Sequence, residues 1–526
     1  MKTFHLALGV LAAAVSAVQP FAQIPNIGPV GEIKREQTGF QFTEGPASDL
    51  QGNVYFSDVQ RNRIHKLDTQ GVLTTFLENQ PSVNGLMFDP RGRLIACQTG
   101  RIVAIDIVTK EVTVLASQFE NTNFQGPNDL AVDRQGNVYF SDRTGGGVFF
   151  IAADRTVKRL FNNLAQPNGV LLSVDEKTLY VLYNQPNLAA FPLSAPGQLG
   201  EPKLFPLQGA GGGDGMTLDT QGNLYVTRPN GVQVLKPTGE SLGLITFQEA
   251  PSNCTFGGAD MKTLFVTART SVYSAKMQTI GHRLIGNTAS LSAASFAANV
   301  PLARDSIVSL FGNGLAATTQ AAATVPLPTT LAGTTVQVVD SAGAERTAAL
   351  FFVSPTQINY HLPPALADGP ATIVVTAANG SIFTESTRLA ATGPGLFSVN
   401  GNGQGPAAAV LLRVKANNEQ QYEPVVRFDP VQNRWLAVPI EFGAAGEQLF
   451  LILFATGARN LDSQASASIT LGGVLANIAF IGAQVGLIGV EQVNVAVPRT
   501  LAGRGEVDVV LTVGTQASNA VTINFK

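Results

Sequence analysis

Short apolar runs, each closed by Gly, Asn or Asp, recur through the first half of the chain. In "QGPNDLAVDRQGNVYFSD" (125–142), Leu130, Val132, Val138 and Phe140 alternate with other residues on either side of a turn. That pattern predicts an antiparallel hairpin whose turn, Asp133-Arg134-Gln135-Gly136-Asn137, offers Gly136 for a positive φ. The same unit returns five times. "EGPASDLQGNVYFSD" starts at Glu44, "NGLMFDPRGRLIAC" at Asn84, "NGVLLSVDEKTLYV" at Asn168, "DGMTLDTQGNLYVT" at Asp214 and "NCTFGGADMKTLFVT" at Asn253. With Asn128 included, successive starts are 40, 44, 40, 46 and 39 residues apart. A period of about 40–45 residues with several short strands per unit predicts β-propeller blades.

Within the third unit, further strands are expected near 147–154 and 157–163. The sixth has no clear fourth strand after Met277, so residues 30–38 are expected to supply it and close the ring. The first strand of each blade lines the channel of a propeller. Glu44, Asn84, Asn128, Asn168, Asp214 and Asn253 should therefore converge, one from each blade. Asn and Asp favour such positions as turn formers. Turn chemistry alone does not explain an oxygen-bearing group in all six. Asp129, next to Asn128, points the other way if the strand is regular, and is expected to bond the blade backbone.

Beyond residue 280 the period changes. "SIVSLFGNGLA" (306–316), "FFVSPTQINYHLP" (351–363) and "GPATIVVTAANG" (369–380) read as strands. "LFLILFATGARN" (449–460), "GLIGVEQVNVAVP" (486–498) and "GEVDVVLTVG" (505–514) echo them, with Gln357 and Asn359 matched by Gln492 and Asn494, 135 residues on. The expected fold is all-β: a six-bladed propeller over 30–280, then two immunoglobulin-like β-sandwich units over 285–393 and 394–526.

Composition narrows the function classes. The chain has 526 residues, enough for several cores, with 53 Gly and 29 Pro and a charged fraction of only 13%. A net charge of −3 gives no basic footprint, which argues against nucleic acid as a partner. Lys2, the ten-residue run Leu6–Val15 and the small residues up to Ala22 read as a signal peptide, residues 1–22. Ten apolar residues are too few to span a bilayer. A secreted or periplasmic protein without a membrane span is expected. Cys97 and Cys254 fall in different units and are expected to be buried free thiols. The four histidines, His5, His65, His282 and His361, offer no zinc cluster and few choices for a Ser-His-Asp triad.

Two carboxylates and several amides in one ring make a hard oxygen-donor set. It favours Ca²⁺, with Mg²⁺ or Mn²⁺ also suited. "TEGP", "GPNDLAVD", "QPNGVLLS", "GDGMTLD" and "SNCTFGG", in that order, resemble the SMP-30/gluconolactonase/LRE-like family of six-bladed propellers over residues 30–280. The resemblance implies Glu44, Asn168 and Asp214 as metal ligands, and Asn128 as a fourth ligand or a substrate-holding group. It implies Asp214 as the catalytic base or nucleophile, and a calcium- or zinc-dependent hydrolase of sugar lactones or similar esters. Asn84, Arg101, Arg228 and Asn253 are further candidates for substrate contact. Two departures concern the substrate: related lactonases often carry a histidine near 98–100, and "GPGG" where this chain has "TRPN" (227–230). The second half resembles a C-terminal domain of exported acidobacterial proteins, a candidate for binding an extracellular partner. Two alternatives remain at this stage: a non-catalytic propeller that binds sugar or protein, and a phosphotriesterase-like hydrolase on the same metal site.

Overall fold

In the computed structural model the described residues are 23–162, 164–184, 186–209, 211–284, 288–298, 300–460 and 467–526. The signal-peptide expectation for 1–22 lies outside them. The fold is almost entirely β. Among the described residues, six antiparallel sheets share one plan between Lys34 and Lys276. Their first strands are Thr43–Ser48, Leu86–Phe88, Pro127–Val132, Val170–Leu172, Met216–Leu218 and Asn253–Gly257. Each first strand touches the next, and the sixth touches the first, so the six form a closed ring. Lys34–Thr38 pairs with Ser271–Lys276 and gives the sixth sheet its outer strand. The apolar cores lie between neighbouring sheets: Tyr55 of the first packs with Leu94 and Val103 of the second.

The hairpin turns have one chemical cause. Asp49, Asp133 and Asp219 each accept N–H groups two and four residues on, and then the side-chain amide of Asn53, Asn137 or Asn223 at 2.7–2.8 Å. This satisfies a turn that would otherwise bury bare donors.

A different constraint holds the strand starts. Gly85 donates its N–H to the Asn128 carbonyl at 2.8 Å, and Gly169 does the same to Asp214 at 2.8 Å. A Cβ on Gly45 would lie 2.2 Å from the Asn84 carbonyl oxygen, and one on Gly169 2.5 Å from that of Asp214. The glycine after the polar residue is there for close approach of neighbouring sheets rather than for a turn.

The chain leaves the ring through its base. The Gly281 and His282 N–H groups donate to the carbonyls of Met261 and Leu218, Arg283 reaches the carbonyls of Asp49 and Leu50, and Leu284 is buried against Leu130 and Val132. The base is also where the second half docks. Gln51 bonds Ser386, Pro90 accepts from Thr384, Gln135 bonds the Asn379 carbonyl, and Ile382 donates to the Arg134 carbonyl. The strand starts are at the opposite face.

Two five-stranded sheets between Ala289 and Ala390 enclose one core, with Val308 and Leu310 from one sheet meeting Val336 and Ile373 from the other. The remainder is a ten-stranded sheet folded around one core that unites Leu451 and Val493 with Leu511 and Ile523, with a separate hairpin of Val426–Asp429 and Arg434–Ala437. Gln357 bonds Asn359, and Gln492 bonds Asn494, at 2.8 and 2.7 Å. These side chains satisfy each other along their own strands. Cys97 and Cys254 are free and buried. No helix among the described residues is long and apolar enough to cross a membrane.

Candidate functional site

At the strand-start face, Asn168 and Asp214 share a cavity of about 170 Å³ with Arg143, Tyr183, Arg228 and Arg269. The Asn168 amide nitrogen donates to Asp214 Oδ1 at 2.6 Å. Burial pushes the Asp214 carboxyl up, while Arg143, the Asn168 bond and Arg269 pull it down. Glu44, from the first sheet, is buried, and one carboxylate oxygen accepts its neighbour Gly45 N–H at 3.0 Å. Burial, then the charges of Asp214 and Asp129, raise its pKa well above the ordinary carboxylate range.

Asp129 belongs to this group, contrary to the expectation from strict alternation. The pairing of Pro127–Val132 with Val138–Asp142 slips between Pro127 and Leu130. The two-residue period fails there. Asp129 is buried, its Oδ1 accepts the Leu130 N–H at 2.9 Å, and its Oδ2 accepts the Asn253 amide at 3.3 Å. Burial pushes its carboxyl up to about 7. With Asn253 it lines an internal cavity of about 100 Å³ further along the channel. A signal was present in the repeats: Gly45, Gly85, Gly169 and Gly215 occupy the equivalent position in four other units.

The remaining candidates are placed differently. Asn128 is half-buried, and its carbonyl serves the Gly85 N–H. The Asn84 carbonyl accepts the Ser57 hydroxyl at 2.9 Å. Arg101 donates to Gln98 at 2.9 Å, and Gln98 in turn to Gln80 at 2.7 Å, away from the Asp214 cavity. Arg228 is buried at the cavity wall with its guanidinium on the carbonyls of Gly209 and Gly211, so it anchors the glycine-rich loop before Asp214. Arg143 and Arg269 were not singled out from sequence, because each is more than a dozen residues past its unit's polar start and returns beside it only through strand pairing, Asp142 opposite Pro127 and Thr267 opposite Asn253.

Among the described residues, no three His, Cys, Asp or Glu groups come together as a metal centre by themselves. A cation here needs amide oxygens to complete its shell. The donor chemistry fits a hard divalent ion: Glu44 is a buried carboxylate and Asp214 a half-buried one, in each other's field, with amides adjacent. Like charges so placed are relieved by a proton or a cation.

Residues 42–270 match the family described as the SMP-30/gluconolactonase/LRE-like region. A gluconolactonase from Zymomonas mobilis is 30% identical over 285 residues, spanning 46% of this chain and 80% of that one. The lactonase drp35 of Staphylococcus haemolyticus is 30% identical over 214 residues, spanning 37% of this chain and 65% of that one. Among solved structures, a gluconolactonase from Xanthomonas campestris is 24% identical, with a TM-score of 0.45, over 49% of this chain and 91% of that one.

Proposed function

The chain belongs to the SMP-30/gluconolactonase/LRE-like family, and from that premise we propose that it is a divalent-metal-dependent lactonase of sugar lactones. The observation that carries the reading is the Glu44–Asp214–Asn168 cluster at the strand-start face of the ring. Glu44, Asn168 and Asp214, with Asn128, would hold the ion. Bound there, Ca²⁺, or Zn²⁺, Mg²⁺ or Mn²⁺ in its place, supplies Lewis-acid polarisation of a lactone carbonyl. Asp214 accepts a proton from the attacking water. The Asn168 amide fixes the orientation of its carboxylate, and the charges of Arg143 and Arg269 oppose the rise that burial imposes on its pKa. Water adds to the acyl carbon, the ring C–O bond breaks, and the proton passes to the departing alkoxide to give the hydroxy acid.

The ring is read as a six-bladed propeller over 30–280, followed by two immunoglobulin-like units over 285–393 and 394–526. The protein is read as exported by residues 1–22, which N-terminal sequencing of the mature chain tests. For the activity, purified protein is assayed with aldonolactones, with Ca²⁺ and with chelator. Ring opening that chelation and Asp214→Asn each abolish is the expected result. Activity that survives both overturns the proposal. Metal binding without turnover makes the ring a binding platform.

A further inference from the structure

The cavity around Asp214 is lined by three guanidinium groups and, among the described residues, one carboxylate. Arg228 is committed to the glycine loop, as above. Arg143 and Arg269 are exposed at the rim, and among the described residues neither is in an ion pair. An exposed arginine on a loose loop would be an ordinary solvated side chain. These two are on turns that neighbouring elements pin.

Arg143 donates its N–H to the Gly126 carbonyl at 2.9 Å. Asp142, just before it, is buried and accepts the N–H groups of Gln125, Gly126 and Gly145 at 2.7–2.8 Å. Arg269 has a φ of +50°, a conformation that costs a non-glycine residue on the order of 1 kcal/mol. Its carbonyl accepts the Thr43 N–H at 2.8 Å, and its guanidinium lies over the Phe42 ring at 5.4 Å. Glu249, the acid near this turn, is occupied by Thr270, Ser271 and Tyr273.

We infer that Arg143 and Arg269 form an anion-recognising rim, and that the substrate is a lactone carrying a second, acidic group, a carboxylate or a phosphate. The inference rests on the lactonase reading. A neutral sugar lactone presents hydroxyl groups, which the amides and Tyr183 of the lining can meet. It gives the two guanidinium groups at the rim no anion to meet. Arginine's fork of donors matches the two oxygens of a carboxylate or phosphate. The acidic group would point to the rim while the lactone carbonyl faces Asp214.

The test compares kcat/KM for glucono-1,5-lactone, glucaro-1,4-lactone and 6-phosphoglucono-1,5-lactone. One or both acidic lactones should exceed the neutral one by tenfold or more, with an advantage that shrinks as salt rises. Which acidic lactone leads tells carboxylate from phosphate. In the double variant Arg143→Gln/Arg269→Gln the acidic-to-neutral ratio should fall at least tenfold, mostly through KM. Arg427→Gln, an exposed arginine of the second half, should leave the ratio unchanged. Equal kcat/KM for all three lactones overturns the inference but leaves the lactonase standing, as does a ratio that the double variant does not move. If none of the three is opened, the lactonase reading fails. Calorimetry with the open-chain acids then decides the rim. Binding of glucarate or 6-phosphogluconate over gluconate, lost in the double variant, supports it, and its absence overturns it.

Discussion

The strand Val138–Asp142 in the ring is buried at all five positions, whereas Glu491–Ala496 in the second half alternates buried with half-buried. Leu224–Arg228 and Val54–Asp58 repeat the first behaviour, and Ala409–Val414 the second. Sheets stacked around an axis have neighbours on both faces. A sheet wrapped around one core keeps a face toward water. A polar side chain therefore means different things in the two halves. In the ring it is desolvated on either face and needs partners. Asp142 has three N–H donors and Ser57 has the Asn84 carbonyl. Glu44, Asp129 and Asp214 instead stand in one another's field. In the second half, Gln492 and Asn494 occupy the half-wet positions and bond each other.

The largest effect expected from this contrast is on activity. Asp214→Asn or Glu44→Gln should lower kcat/KM for lactone opening by about 10³-fold or more, close to 4 kcal/mol of barrier. The same assay on Gln357→Leu should stay within twofold of the parent. A loss of equal size from both would break the contrast.

Second comes the backbone. Gly45 and Gly514 have φ values of +44° and +59°, but a Cβ on Gly514 meets nothing within 4 Å, whereas one on Gly45 meets the next sheet's carbonyl at 2.2 Å. Gly514→Ala should cost about 1 kcal/mol in urea unfolding. Gly45→Ala should cost about 3–4 kcal/mol, because overlap with backbone adds to the strain. Similar values for the two would mean that the strand starts do not need their close approach.

Much of the ring was legible because each unit repeats a local cause. The Asp-x-x-Gly-Asn turn, the polar-Gly strand start and the missing sixth outer strand are all visible in one dimension. What escaped notice depends on other dimensions. Asp129 faces its partners through a slip in strand register, which alternation cannot foresee. Arg143 and Arg269 come near Asp214 only after the ring has closed, from units two and one positions away in sequence order. The continuous ten-stranded sheet of the last unit was hidden for a similar reason. Alternation fixes which face is wet, but not which strand pairs with which.

The third effect tests the exception in the second half. Glu491 is on the core face and fully buried, and its carboxylate takes the Arg459 Nε at 2.6 Å. Arg459 also bonds Asp305, which holds His361 at 2.7 Å, so the network joins the two C-terminal units. Burial pushes Glu491 from 4.5 up to about 7 despite Arg459. A carboxyl raised on folding favours the folded state while it is protonated. Stability should thus be greatest below about pH 4.5, fall as pH rises to about 7, and level off above. The shift sets the fall at roughly 3 kcal/mol at most. Urea midpoints of the parent should fall across this window, and Glu491→Gln should make the fall smaller by up to that amount while leaving the share of Asp129, whose carboxyl also rises to about 7. A slope as steep in the variant as in the parent would assign it wholly to other groups.

The smallest effect is the sharpest control on the contrast. Gln492→Leu removes one side-chain hydrogen bond, worth about 1 kcal/mol when both partners are dry. Here Asn494 stays on the half-wet face, where water can replace the lost donor. The leucine also adds apolar surface to a strand position that tolerates it. The net change in urea unfolding should be under about 0.5 kcal/mol, with lactone turnover unmoved. A loss of 2 kcal/mol or more would show that this face is covered and dry. The pair Gln492–Asn494, and its counterpart Gln357–Asn359, would then resemble the buried polar groups of the ring rather than an ordinary outward face.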